Sequence, residues 1–180
     1  MGFPSPAAFS NFAFMPSTPI WRPSARLIVL DPDNRTLLFS FARDDGRTWW
    51  FTPGGGLRKG ETLTAAAVRE LAEETGLTVA ESGLGPVVAT RGGLWRSREE
   101  GKLFFGADSF FCVRVPQAEV STDGQEALEA SFITGYRWWT PDELADDGDL
   151  ITPPGLPEMV LALLRNGPPT SPLRLPWRVL

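Results

Sequence analysis

Three glutamates, Glu70, Glu73 and Glu74, lie within one short stretch of this chain, with Arg69 directly before them. Spacings of i, i+3 and i+4 place side chains one above another on a helix, so a helical 70–74 would stack all three carboxylates on one side. Stacked acids repel each other, and acids near a helix C-terminus oppose its macrodipole. A cluster set against both rules suggests a resident cation. Oxygen-only ligands suit a hard divalent ion, Mg²⁺ or Mn²⁺, rather than zinc. The competing reading is a solvated acidic helix face, the commoner origin of such a cluster, and the three glutamates alone do not separate the two.

The elements around the cluster are legible. Trp49 to Phe51 reads as a short β-prone strand that leads through Thr52-Pro53 into a glycine turn at Gly54, Gly55 and Gly56. Glu61 follows the turn. From Leu63 to Thr75 the pattern is helical, with Thr62 or Thr64 as N-cap and Gly76 placed for a left-handed C-cap. At 100° per residue Ala67, Val68, Leu71 and Ala72 share an arc, expected to face a sheet. Arg69, one turn before Glu73, is placed to neutralise or orient it.

Upstream, Ser24–Leu30 and Thr36–Phe41 read as a hairpin around the turn cluster at 31–34. Downstream, Val87–Thr90 reads as a strand broken by Gly92-Gly93, and Leu103–Val115 is the most strand-like run in the chain. Asp108 interrupts that run and is a weaker candidate for an extra metal ligand. Tyr136–Trp139 is a final strand before a helix with Thr140 as cap and Pro141 at its first position. A last amphipathic helix covers 157–165. The expected division is an N-terminal arm over 1–20, a domain over 21–166 and a C-terminal tail over 167–180.

Composition narrows the chemistry further. The sequence contains no histidine, which removes Ser-His and Cys-His nucleophilic systems and the usual zinc sites. A single cysteine, Cys112, excludes an internal disulfide and fits a reducing, cytoplasmic setting. The net charge of −5 argues against general nucleic-acid binding. No apolar run approaches the roughly 20 residues of a membrane helix. The arm carries Phe3, Phe9, Phe12 and Phe14 between prolines, and is expected to pack on its own domain or to exchange in a homodimer, with a floppy terminus as the equal alternative.

The segment Gly55–Leu77 resembles the Nudix box, filling each specified position with Gly55, Glu61, Arg69, Glu70, Leu71, Glu73, Glu74, Gly76 and Leu77. The resemblance implies an α/β fold, an α/β/α sandwich around a mixed, mostly antiparallel-edged sheet. It implies a pyrophosphohydrolase that cleaves a nucleoside diphosphate linked to another moiety, such as a nucleotide sugar, a nucleoside triphosphate or a dinucleoside polyphosphate. Metal ligands are then Glu70, Glu73 and Glu74 with the carbonyl of Gly54 or Gly55, while Glu61 and Arg69 hold the loop–helix geometry. Glu126 and Glu129 sit in the loop where some members carry the general base, and for each an ordinary loop acid is the other reading. Trp50 and Trp95 are candidates to stack a base, and Arg43 and Arg91 to meet outer phosphates. A sensing module that binds a nucleotide without turnover is the alternative. An isoprenoid diphosphate isomerase would want a reactive cysteine, and Cys112 sits mid-strand among bulky apolar residues.

Overall fold

A computed structural model describes residues 18–43, 46–97, 101–116, 118–125, 131–146 and 150–177. The arm therefore lies outside the described residues up to residue 17. Strands β1 (Ile20–Leu30), β2 (Thr36–Ala42) and β3 (Thr48–Phe51) lead to helix α1 (Leu63–Thr75). After a 3₁₀ turn at Glu81–Gly83 come β4 (Val87–Arg96), β5 (Leu103–Arg114) and β6 (Ile133–Trp139). Helix α2 (Pro141–Asp146), β7 (Ile151–Thr152), helix α3 (Leu156–Asn166) and β8 (Leu173–Arg174) complete the order.

The strands form one mixed sheet in the order β7-β3-β2-β1-β5-β4-β8, with β6 also paired to β2. Strands β1 and β5 run parallel in continuous register from Ile20 opposite Phe104 to Leu30 opposite Arg114. Alternation along these strands sends side chains to opposite faces. One face carries Ala25, Leu27, Val29, Phe111 and Val113 against Ala66, Ala67 and Leu71 of α1. The other carries Ile28, Leu30, Val88 and Phe110 against Leu156, Met159, Val160 and Leu163 of α3. The expected α/β/α sandwich is present.

The connection that matters for the site is the one between β1 and β2. These strands pair antiparallel only at their turn, Leu30 opposite Thr36, and then separate. The glycine turn fills the gap: Leu27 N donates to Pro53 O (2.9 Å), Ala25 N to Gly55 O (3.0 Å) and Leu57 N to Pro23 O (3.2 Å). Irregular backbone is thus tied to a central strand along its length, which satisfies its polar groups and fixes the start of α1.

Three expectations need correction. Gly92-Gly93 does not break β4, because β5 pairs with it from Val87 through Arg96. Val68 and Ala72 are only half-buried; the buried side of α1 is Ala66, Ala67, Glu70, Leu71, Glu74 and Thr75, so two acids lie on the same side as the apolar contacts. The segment past 166, expected as a tail outside the domain, adds β8 beside β4 and places Leu175 in the α3-side core. Among the described residues, no helix is long and apolar enough to cross a membrane.

Candidate active site

Helix α1 begins at Thr62, whose hydroxyl accepts from Ala65 N at 3.1 Å, and ends at Gly76 with φ of 69°, whose amide reaches Ala72 O at 3.0 Å. Capping at both ends anchors the last two turns, where the acids stand. Glu70 and Glu74 are 5% and 2% exposed, and charged side chains at that depth need dedicated partners. Glu74 Oε2 accepts the Gly54 amide at 2.6 Å. Glu70 Oε1 accepts Arg69 Nη1 at 2.8 Å.

Arg69 organises the rest. Its Nε and Nη2 form a two-pronged pair with Glu61, at 2.8 and 2.9 Å. Nη1 also reaches Glu73 Oε2 at 3.0 Å, and Nη2 reaches Gly56 O at 3.1 Å. One guanidinium therefore ties the helix acids to the glycine loop and offsets their mutual repulsion. Glu61 accepts the Arg58 amide as well, and these contacts, the Arg69 hydrogen bond foremost, hold its carboxyl at about 2. The Arg69 guanidinium is pushed up, chiefly by its hydrogen bond to Glu61. Arg58 supplies a second cation to Glu73, at 3.1 Å.

Gly54 is required sterically, and Gly55 leaves room that a neighbouring carboxylate uses. Gly54 has φ of 120°, a region L side chains rarely adopt, and its carbonyl accepts the Arg26 guanidinium. A Cβ on Gly55 would stand 2.5 Å from Glu70 Oε1, so the missing side chain is the space the carboxylate uses. Among the described residues, no three acidic, His or Cys side chains are gathered so that they could hold a metal ion by themselves. The donor set still fits a small hard cation. Mg²⁺ is ordinarily held by one or two carboxylates, water and substrate phosphate rather than by an all-protein cage, and the buried Glu70 and Glu74 are carboxylates of the kind such a site uses.

A cleft of about 280 Å³ adjoins the loop, lined by Arg26, Phe41, Phe51, Thr52, Arg91, Phe132 and Thr152. Arg91 Nε donates to Asp108 Oδ2 at 2.6 Å, and Ser24 Oγ donates to the other Asp108 oxygen. Burial alone would raise the Asp108 carboxyl, but the charges of Arg26 and Arg91 together with the hydrogen bonds from Ser24 and Arg91 outweigh it and hold the group below the usual range. Burial lowers the Arg91 guanidinium, and Asp108 works against that shift. Asp108 thus serves as a counter-ion for the arginines and does not join the box acids.

The other sequence candidates are dispersed. Trp50 packs edge-on against Trp139 at 4.9 Å beside the α3-side core, away from the cleft lining. Trp95 stacks on Phe104 at 4.7 Å, and Arg43 lies over Trp49 at 5.2 Å. Glu126 and Glu129 fall outside the described residues. Cys112 packs against the α3-side core, where burial pushes its thiol up, which fits packing rather than catalysis. Sequence reasoning passed over Phe41, Phe51, Phe132, Thr52 and Thr152 as cleft residues. Only the alternation of β2 and β3 hinted at the first two.

Comparison with known proteins bears on the family and the fold. A family model described as the NUDIX domain matches residues 20–159. An RNA pyrophosphohydrolase of Marinomonas sp. (strain MWYL1) is 30% identical over 135 residues, covering 67% of this chain and 78% of that protein. An RNA pyrophosphohydrolase of Caulobacter vibrioides (strain NA1000 / CB15N) is 43% identical over 63 residues, covering 35% of this chain and only 37% of that relative. Among solved structures, a MutT protein from Methanosarcina mazei Go1 superposes with a TM-score of 0.59 at 17% identity, covering 82% of this chain and 95% of that one. At that identity the likeness concerns the fold alone.

Proposed function

The chain belongs to the Nudix family, and from that premise we propose that it is a Mg²⁺- or Mn²⁺-dependent pyrophosphohydrolase acting on a nucleoside diphosphate linked to another moiety. The observation that carries this reading is the pair of buried carboxylates, Glu70 and Glu74, locked to the glycine loop by the Gly54 amide and the side-chain-free space at Gly55. Such depth makes little sense for a merely solvated acidic face.

Glu70, Glu73 and Glu74 would hold the ion, with the Gly54 carbonyl as a further oxygen. Each carbonyl oxygen has two lone pairs, so the Arg26 contact does not exhaust it. When bound, the ion supplies Lewis-acid charge at the phosphate and lowers the pKa of a coordinated water. The chain's own part is to seat these acids beside the glycine loop: Arg69 pairs with Glu70 and Glu73, Arg58 with Glu73, and the Gly54 amide donates to Glu74. A carboxylate takes the proton from the attacking water; the box acids and Glu126 or Glu129 are the candidates. Arg26 and Arg91 are placed to meet phosphate oxygens outside the bond being cut, and Phe41, Phe51 and Phe132 offer apolar surface to a base.

The test is phosphate release from nucleotide sugars, nucleoside triphosphates, dinucleoside polyphosphates and a 5′-triphosphorylated oligoribonucleotide, with metal and with chelator. The last substrate is included because relatives in Caulobacter vibrioides and Marinomonas sp. are named RNA pyrophosphohydrolase. Turnover should need the metal and fall at least about 10²-fold in Glu74→Gln, the size typical for a lost electrostatic contact at a reacting group. Equal inertness of wild type and variant across the panel would overturn the enzyme reading.

A further inference from the structure

Beyond the box and the cleft, the C-terminal segment carries a tryptophan into a place built for it. β8 pairs parallel with β4 at Ala89 and Thr90, and Leu175 N donates to Thr90 O at 2.9 Å. The chain then delivers Trp177 across β4 and β5, over the cross-strand pair Gly93 and Gly106. A Cβ on Gly93 would stand 2.2 Å from Trp177 Cδ1, and a Cβ on Gly106 would stand 2.5 Å from its Cη2. The indole therefore lies in a slot that exists only because both facing residues lack side chains. Its Nε1 is enclosed with no hydrogen-bond partner among the described residues, so shape holds the ring rather than polar anchoring.

What the ring touches is informative. The Arg91 guanidinium carbon sits 5.2 Å from the Trp177 ring and 5.9 Å from the Phe110 ring, while Arg91 Nε is committed to Asp108 and Nη1 stands 3.5 Å from Thr152 Oγ1. Both Arg91 and Thr152 line the cleft. A guanidinium gripped by a carboxylate and by aromatic rings has lost most of its rotamer freedom before any ligand arrives. Leucine or valine at position 177 would fill space without attracting the cation.

We propose that Trp177 is a positioning residue for substrate: seated in the Gly93–Gly106 slot, it holds Arg91 in the orientation that grips an anionic group of the nucleotide, a phosphate outside the bond being cut. The inference rests on the cleft being the substrate site of the proposed pyrophosphohydrolase. It makes the C-terminal segment part of the binding apparatus, acting on KM rather than on the chemical step.

The experiment compares wild type, Trp177→Leu and Trp177→Phe on whichever nucleotide is turned over best, with and without Arg91→Lys. Trp177→Leu should raise KM about tenfold with kcat within about twofold, the scale of a desolvated cation–aromatic contact. Trp177→Phe should recover most of the loss, because it restores a ring over the guanidinium. In the Arg91→Lys background, Trp177→Leu should add little, since the partner it positions has gone. An unchanged KM in Trp177→Leu, a fall in kcat at constant KM, or effects that multiply with Arg91→Lys would each overturn the proposal. Should Trp177→Leu fail to fold, Gly93→Ala displaces the ring without removing it and is read by the same criteria. If the wild type turns over no substrate, the catalytic reading fails separately. The positioning role is then read from the dissociation constants of the β,γ-imido analogues of ATP and GTP with Mg²⁺. A tenfold weaker constant in Trp177→Leu supports it, and an unchanged constant, or no binding to the wild type, overturns it.

Discussion

Adjacent glycines in the turn should respond to the same substitution in opposite ways, which separates a functional constraint from a folding one. A Cβ on Gly55 would lie 2.5 Å from Glu70 Oε1, 2.8 Å from Cδ and 3.0 Å from Oε2. Non-bonded atoms settle near 3.5 Å, so the carboxylate must retreat by about 1 Å. Because these atoms end a flexible side chain, the backbone need not move. Gly55→Ala should cost about 1 kcal/mol or less, a fall in Tm of roughly 4 °C or less for a chain of this size. A reacting centre tolerates such a shift far less: a 1 Å misplacement costs about 10²-fold in rate. Gly54→Ala meets backbone instead, with Ala25 O at 2.2 Å and Arg26 Cα at 2.9 Å, at a φ of 120°. Backbone strain and overpacking together give about 2–6 kcal/mol, or roughly 5–20 °C in Tm. Thermal unfolding and phosphate release across a Mg²⁺ titration, run on both variants, measure the split. Wild-type kcat/KM in Gly55→Ala would refute the reasoning, as would a loss of activity accompanied by a fall in Tm as large as that of Gly54→Ala.

Two further outcomes follow from the ion pairs. Glu61 is held at about 2, below its ordinary value of 4.5, so its contribution to stability is complete above that ordinary value and is lost as pH falls toward 2. Glu61→Gln should therefore lower Tm at neutral pH and flatten its fall between pH 4.5 and 2.5; an acid limb as steep as that of wild type would count against the Arg69–Glu61 clamp. Asp108→Asn leaves the largely buried Arg91 without its counter-ion, and breaking a buried pair from one side costs about 3–5 kcal/mol. That corresponds to a fall of roughly 6–20 °C in Tm, and Arg91→Met in the same background should restore part of it; no fall in Asp108→Asn would show that the pair is not the support it looks.

Local rules carried the reading of α1. Its limits and its left-handed Gly76 depend on residues within a few positions of each other and appear where the sequence put them, and of the two N-cap candidates, Thr62 and Thr64, the structure uses Thr62. The box glutamates and Arg69 were legible for the same reason, since helical spacing alone decides which side chains share a side. The depth of Glu70 and Glu74 was not. Hydrophobic periodicity assigns charges to the outside, and only the loop pressed against α1, with its Gly54 amide and its vacant Cβ position at Gly55, makes a buried carboxylate tolerable.

The cleft lay further from local reach. Nothing near Arg91 in the chain announces Asp108, which β5 delivers across an antiparallel register, or Thr152, which β7 brings beside β3. Trp50 looked as available for stacking as any aromatic until strand alternation set it against Trp139. Gly92-Gly93 looked like a stop because propensity registers only what glycine lacks, whereas Trp177, arriving from the far end of the chain, turns the missing side chain at Gly93 into a seat. By itself, then, the sequence placed the acids and their arginine together and carried the Nudix resemblance, because they sit on one short helix whose geometry is local. Which surfaces meet the substrate was decided by the tertiary structure, because contacts between distant strands depend on register and packing that no short stretch encodes.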